Sequence, residues 1–384
     1  MKLKRIVALG AALGVAVAGV GVASAANADP VTDGYSIVGS DTLQDAVGAL
    51  ANGTNITGPS VRLSGDGKAL GSWDAFTLGV AGGVGNIQTK PYGPVMKRPN
   101  GSGAGRNALA ASVGGTSGQA FTWESVNVKD QVDLARSSSL GSTAGSLLTY
   151  VPFGQDAIGY AFKIGDASGA DAAAAKAVVE DLTKAQLTSI YSAGTSSAAS
   201  AAVSGTGYTI KPLGLQSSSG TWTTFLNKIG VTSLGNAVDT RSNNIPENDG
   251  RVLTPAVNEI QIVPLSVANY IGQLNNAARI NTFSGVSLGA IGGVQATTGT
   301  APNLAPSTSY YTSADWGRTV YIVVPTAKIT DGPSFDQGIA SLVDTTSPSS
   351  LTYWGSSASP ATTKAVKAKF GFSAPTGTVV TRNN

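Results

Sequence analysis

The chain has no cysteine and no histidine among its 384 residues. Without cysteine there is no disulfide, no thiolate metal site and no cysteine nucleophile. Without histidine there is no Ser-His-Asp triad, and the commonest metal ligand and usual general base are missing too. No Ser-x-x-Lys motif replaces them. A hydrolase built from this chain would need a metal held by carboxylates alone, and no paired-carboxylate motif stands out. Charge is also scarce, at 12% of residues. Beyond the N-terminus no segment approaches the ~20 apolar residues that a transmembrane helix needs.

The first 28 residues read as a secretory signal peptide. Lys2, Lys4 and Arg5 form a basic start, residues 6–22 an Ala/Val/Gly/Leu-rich core. Ala23-Ser24-Ala25 and Ala26-Asn27-Ala28 are small-residue cleavage sites, the second preferred. Cleavage there removes three of the 25 basic residues and none of the 22 acidic ones, leaving 22 of each sign. The formal net charge of +3 therefore belongs to the leader. A balanced chain has no basic nucleic-acid footprint, and no nucleic acid is expected as a partner. With no cysteine to carry a lipid, the exported chain is expected without a lipid anchor, in the extracellular, cell-wall or periplasmic space.

Glycine is abundant, with 49 residues. Three Gly/Ser/Thr-rich segments each lead into an apolar stretch that can form a helix. Gly39-Ser40-Asp41-Thr42-Leu43-Gln44 precedes residues 46–50, and Gly101-Ser102-Gly103-Ala104-Gly105-Arg106 precedes 108–113. Ser217-Ser218-Ser219-Gly220-Thr221-Trp222 precedes 223–229. The first turn of a helix has N–H groups with no internal partner, and the positive end of the helix dipole. Glycine lets a ligand approach the backbone, and hydroxyls add short donors. One such loop is a common helix cap. Three that converge would cage a small oxyanion.

Around these loops strands and helices alternate, so the class is α/β. Tyr35-Ser36-Ile37-Val38 predicts a strand feeding the first loop, and 128–135 a strand running into Arg136. Residues 147–153 and 157–162 read as two buried strands. Residues 171–182 predict an Ala-rich helix. Thr183 and Gln186 have the capping-box spacing for the next one. Residues 196–207 read as a surface loop, and 208–215 as a strand entering the third loop. Residues 260–263 predict a strand, followed by a helix over 266–274. Residues 319–324 predict a buried strand, and 335–343 and 362–370 closing helices. Asp239, Glu247, Asp249 and Arg251 form a charged stretch that reads as a solvated loop without calcium-loop spacing. Trp222 is a core anchor or lines a cleft mouth.

Five segments in this order resemble the phosphate-binding proteins of ABC transporters, within the two-lobed solute-binding superfamily. Gly39-Ser40-Asp41-Thr42-Leu43 is similar to the family's first Gly-x-x-Thr-Phe-like loop, and Gly101-Ser102-Gly103-Ala104-Gly105 to its Gly-Ser-Gly-Ser-Gly-type loop. Val132-Asp133-Leu134-Ala135-Arg136-Ser137-Ser138 resembles Val-Asp-Phe-Gly-Ala-Ser-Asp. Residues 181–191 resemble the Leu-Thr-x-x-x-Leu-x-x-Ile-Tyr helix, and Ser218-Ser219-Gly220-Thr221 the Gly-Ser-Gly-Thr loop. The resemblance implies a two-lobed type II periplasmic-binding-protein-like α/β fold, each lobe a mixed sheet flanked by helices. Lobe one is expected from 29–152 plus 318–384 and lobe two from 153–317. The chain departs from the family where it has Leu215 and Ser217 in place of an arginine and an aspartate, and Ser138 in place of the motif's aspartate.

A buried oxyanion needs a donor for nearly every lone pair. The hydroxyls of Ser40, Thr42, Ser102, Ser138, Ser219 and Thr221 are the candidate donors, with backbone N–H groups of Leu43, Gly103, Gly220 and Thr221; Ser218 completes the third loop. Arg136 is the candidate replacement cation, or else a partner of Asp133 or Glu124. Asp41 is the candidate acceptor for the proton of a protonated phosphate, or else a helix cap; an acceptor there favours phosphate over sulfate. Ser102-Gly103 also fits a plain turn before a helix, and Ser218–Thr221 a plain N-cap. No cofactor, metal or enzymatic activity is expected. The expected function is capture of phosphate or a related oxyanion in an interlobe cleft by a monomer that serves an ABC-type permease. The alternative is a secreted wall-associated or interaction protein that keeps the fold without ligand transport.

Overall fold

The computed structural model describes residues 30–77, 84–115 and 120–384. The expected leader lies outside them. Among the described residues no helix is long and apolar enough to cross a membrane.

The fold is mixed α/β. Its first run is β1 (Tyr35–Gly39), α1 (Gln44–Asn52), β2 (Lys68–Ser72), α2 (Ser102–Ser112) and β3 (Leu134–Ser137). The middle run is β4 (Ala144–Ile164), α3 (Gly169–Val179), α4 (Lys184–Ser192), β5 (Thr209–Pro212), α5 (Gly220–Ile229), β6 (Glu259–Ser266) and α6 (Val267–Leu274). The chain closes with β7 (Gly317–Pro325), α7 (Gln337–Leu342), α8 (Thr363–Lys369) and β8 (Val380–Arg382). Hydroxyl caps fix several helix starts. Thr183 Oγ1 accepts from Gln186 N at 3.2 Å and Gln186 Oε1 accepts from Thr183 N at 2.8 Å, the reciprocal capping box that the spacing predicts. Ser219 caps α5, Ser266 caps α6 and Thr362 caps α8 in the same way with one bond each.

One sheet runs β5-β6-β4-β7-β3-β1-β2. The pairs β5/β6, β3/β1 and β1/β2 are parallel; the three between β6 and β3 are antiparallel. β4 holds the sheet together by changing partner along its length. Its residues from Leu148 to Ala157 pair with β7, and those from Ile158 to Ile164 with β6. Residues 147–153 and 157–162 are thus not two strands but parts of one, 21 residues long. The polar Gln155 and Asp156 interrupt the apolar pattern without needing a turn, because distant groups satisfy them. Gln155 donates to the Tyr311 carbonyl at 2.9 Å and accepts from Thr319 Oγ1 at 3.0 Å; Asp156 accepts from Arg318.

Buried apolar side chains sort on either side of that change of partner. One cluster runs from Ala157 to Trp316 and contains Tyr160, Tyr191, Trp222 and Phe225. Two others draw on residues 35–153 and 320–372, joined by Ala268. Trp222 packs edge-on to Tyr191 and stacks on Phe225, so it is a core anchor and not a cleft mouth. The stretch expected as a loop at 196–207 contains the helix Ser196–Ala199 and a 3-10 turn at Ala201–Val203. Ala199 and Val203 are buried, so small residues there allow close packing where composition suggests only solvent. The helix expected to reach 182 ends at Val179, and Asp181–Leu182 pairs instead with Ala290–Ile291.

Candidate functional site

The three hydroxyl-rich loops meet. β1 delivers the first at Gly39, whose φ is +107°. A Cβ there would sit 2.6 Å from the Arg136 carbonyl, so only glycine lets the loop pass β3. Ser40 Oγ accepts from Thr42 N at 3.3 Å and donates to Ser138 Oγ at 3.3 Å, which ties the first loop to the end of β3. Ser102, the first residue of α2, lies 3.0 Å from the same Ser138 Oγ and accepts from Ser138 N at 2.9 Å. The third loop closes on both. A Cβ at Gly220 would stand 2.4 Å from Ser138 Oγ and 2.6 Å from Ser102 Oγ. Thr221 Oγ1 is 3.3 Å from Thr42 Oγ1. The 3-10 turn Asp41–Leu43 that leads into α1 and the starts of α2 and α5 thus pack together through buried hydroxyls.

Not every expected donor is available there. Gly103 N donates to the Ser218 carbonyl at 3.0 Å, and Ser218 Oγ is engaged by the Asn100 carbonyl and Gln216 Oε1. These two residues join the second loop to the third. The side chain of Leu43 is buried in the apolar cluster with Val47 and Leu50.

Arg136 is the clearest correction. A guanidinium has five N–H donors. Nε donates to the Ser40 carbonyl at 3.0 Å; Nη1 donates to the Ile37 carbonyl at 3.3 Å and Ser72 Oγ at 2.9 Å. Nη2 donates to the carbonyls of Gly39 at 3.3 Å and Trp73 at 2.5 Å. All five are committed to the protein, and the side chain is fully buried. Desolvation pulls its pKa down to about 10, which still leaves it charged at neutral pH. It pairs with neither Asp133 nor Glu124, which bind Lys90 and Lys97.

The charged groups that do reach the hydroxyls, Glu247 and Arg318, lie outside the motifs. Glu247, expected on a solvated loop, is 2% exposed. Its Oε1 accepts from Thr42 Oγ1, its Oε2 accepts from Ser219 Oγ at 2.6 Å, and its backbone N–H donates to Asp41 Oδ2 at 3.1 Å. Arg318, the second residue of β7, donates from Nε and Nη2 to Asp156 Oδ2 at 3.0 and 2.8 Å. Its Nη2 also reaches Thr42 Oγ1 at 3.3 Å. Asp156 could have been noticed as the one acid inside an apolar strand pattern; nothing in the local sequence marks Glu247.

Asp41 is not a helix cap; Ser40 has that role. Asp41 is fully buried, and burial together with the neighbouring Glu247 charge holds its pKa well above the ordinary 3.8, against a smaller opposing pull from Arg136. Its Oδ1 has no partner, and neither does Arg318 Nη1, although both are buried. The site therefore combines many hydroxyl donors with one unmatched acceptor and one unmatched cationic donor. Among the described residues no cluster of three metal-ligating side chains occurs.

No protein-family model matches the chain, and no curated protein matches it significantly. Solved structures resemble it distantly. An ABC-type phosphate transport receptor from Vibrio cholerae is 14% identical over 77% of this chain and 88% of its own, with a TM-score of 0.40. A candidate phosphate ABC transporter substrate-binding protein from Clostridium perfringens, solved with bound phosphate, is 16% identical over 80% and 91%, with a TM-score of 0.41. A candidate phosphate-binding protein from Planctomyces limnophilus DSM 3776 is 15% identical over 78% and 84%, with a TM-score of 0.33.

Proposed function

We propose that this chain is an exported solute-binding protein that captures phosphate or a related small oxyanion for an ABC-type permease. The lobes would be 29–152 plus 318–384 and 153–317, with the ligand between them. The split of the buried clusters at the β4 change of partner supports that division. The observation that carries the reading is the convergence of Ser40, Thr42, Ser102, Ser138, Ser219 and Thr221 from separate segments at three helix starts. Arg318 takes the part first assigned to Arg136, since its Nη1 lacks an acceptor. In its ionised form, which its raised pKa shifts to higher pH, Asp41 Oδ1 would accept a hydrogen bond from the P–O–H of hydrogen phosphate, a group sulfate lacks at neutral pH. Hydrogen bonds to a charged acceptor contribute ~1.5–3 kcal/mol each. A few that survive desolvation reach micromolar binding, which corresponds to roughly −8 kcal/mol. Contacts from both lobes would favour the closed form.

Isothermal titration with phosphate, sulfate and arsenate tests this. Phosphate should bind best, and Ser219→Ala and Thr221→Ala should each weaken it about tenfold, the equivalent of one lost charge-assisted bond. Ser219→Ala also removes a cap, so its melting curve is recorded beside the titration. Absence of heat with all three anions would end the proposal. One observation favours the second reading, a wall-associated or interaction protein without ligand transport: Thr42 and Ser219 already donate to Glu247.

A further inference from the structure

We propose that Glu247 is a tethered occupant of the hydroxyl cage, a carboxylate that a free oxyanion must displace in order to bind. The inference rests on the anion-binding reading and adds a regulation to it. A hydroxyl carries one hydrogen. The Thr42 hydrogen is directed to Oε1 of Glu247 and the Ser219 hydrogen to Oε2. Ser219 Oγ meanwhile accepts from Trp222 N at 3.1 Å. Neither hydroxyl has a second hydrogen for a ligand while Glu247 stays in place. A carboxylate offers two anionic oxygens on one carbon, the same kind of acceptor edge that a tetrahedral oxyanion offers. Thr42 comes from the first loop and Ser219 from the third, so one side chain bridges two of the three loops as a captured anion would.

The backbone around Glu247 restricts how it can leave. Ile245 is anchored through its carbonyl to Gln216 N at 3.1 Å, and the Asn248 carbonyl accepts from Gln273 Nε2 at 2.7 Å. Glu247 N is held by Asp41. Release is therefore a rotation of the side chain about its own bonds, not an opening of the loop. The vacated hydroxyls would join Arg318 Nη1 and Asp41 Oδ1, which have no partner while Glu247 is seated. The occupant lowers apparent affinity by the fraction of molecules in which it is out.

The test is titration of the full exported chain and its Glu247→Ala and Glu247→Gln variants with inorganic phosphate, together with melting curves in acetate. Glu247→Ala is expected to bind phosphate at least tenfold more tightly than wild type, with Glu247→Gln between them, as a swung-out fraction of about one in ten would give. Acetate should raise the melting temperature of Glu247→Ala and leave wild type unchanged, by refilling the vacated place. Equal or weaker phosphate binding by Glu247→Ala overturns the occupant role and leaves the anion-binding reading standing. If no chain binds phosphate but acetate stabilises Glu247→Ala, the occupant role holds and the phosphate reading fails. If neither ligand acts on any chain, both fail. Glu247→Gln keeps the side chain's shape and guards against a misfolded alanine variant.

Discussion

Two buried arginines touch the first loop and have contrasting surroundings. Arg136 is enclosed by carbonyls of Ile37, Gly39, Ser40 and Trp73, with Ser72 completing the set. Arg318 is paired on one edge with Asp156, touches Thr42, and has Nη1 without an acceptor. The first is a staple that holds the end of β1 to the turn after β2. The second is a cation with capacity left. Burial alone does not separate them, since both are nearly inaccessible; the hydrogen-bond inventory does.

The comparison breaks most visibly at Arg136. Arg136→Met would take a donor from four buried carbonyls and from the part-buried Ser72 Oγ at once; the Ile37 carbonyl keeps Trp73 N, and each group left unpaired costs about 1–3 kcal/mol. The expected loss of about 5 kcal/mol or more rivals the whole stability of a domain. Soluble yield and a circular-dichroism melt measure it; a shift of only a few degrees would mean that Arg136 is not a staple. Arg318→Met should cost less, about 3–5 kcal/mol, because it leaves one uncompensated carboxylate at Asp156. Adding Asp156→Asn should restore most of that stability in denaturant unfolding, since the asparagine is uncharged and keeps an acceptor for Ala268 N. Phosphate binding should stay lost in the double variant. Recovery of binding would show that Arg318 serves only the fold.

The smallest effect concerns Asp41, which lies in the field of Arg136 and beside Glu247. Its raised pKa means that the native state binds more protons than the unfolded chain above the ordinary 3.8. The stability it contributes is complete below that value and declines as pH rises through the raised pKa. Asp45, pushed up to about 7 by desolvation and then Asp74, acts with the same sign between about 4 and 7. Denaturant unfolding across pH 4–8 in an Asp45→Asn background isolates Asp41: the slope should flatten when Asp41→Asn is added. An unchanged slope would place Asp41 outside the buried pair.

Much of the secondary structure was legible because it depends on near neighbours. The Thr183–Gln186 capping box, the cap at Ser219 and the serine-rich loops act within a few residues of chain. β4 reads as two strands in the sequence because the partners that satisfy Gln155 and Asp156 lie far away, at Tyr311, Arg318 and Thr319. Arg136 was a reasonable cation in its motif, yet the motif does not reveal that five acceptors surround it. Glu247 looked like any acid in a polar stretch, since its burial is imposed by loops elsewhere.

By itself the sequence determined that hydroxyl-rich loops would lead into helices, and that cysteine and histidine chemistry would play no part. The tertiary structure alone decided which charges accompany those hydroxyls. Thr42 meets Glu247 across 205 residues of chain, and Arg318 meets Thr42 across 276. Caps and loops are settled by local backbone geometry, whereas a buried charge is settled by whichever distant groups compensate its lost water.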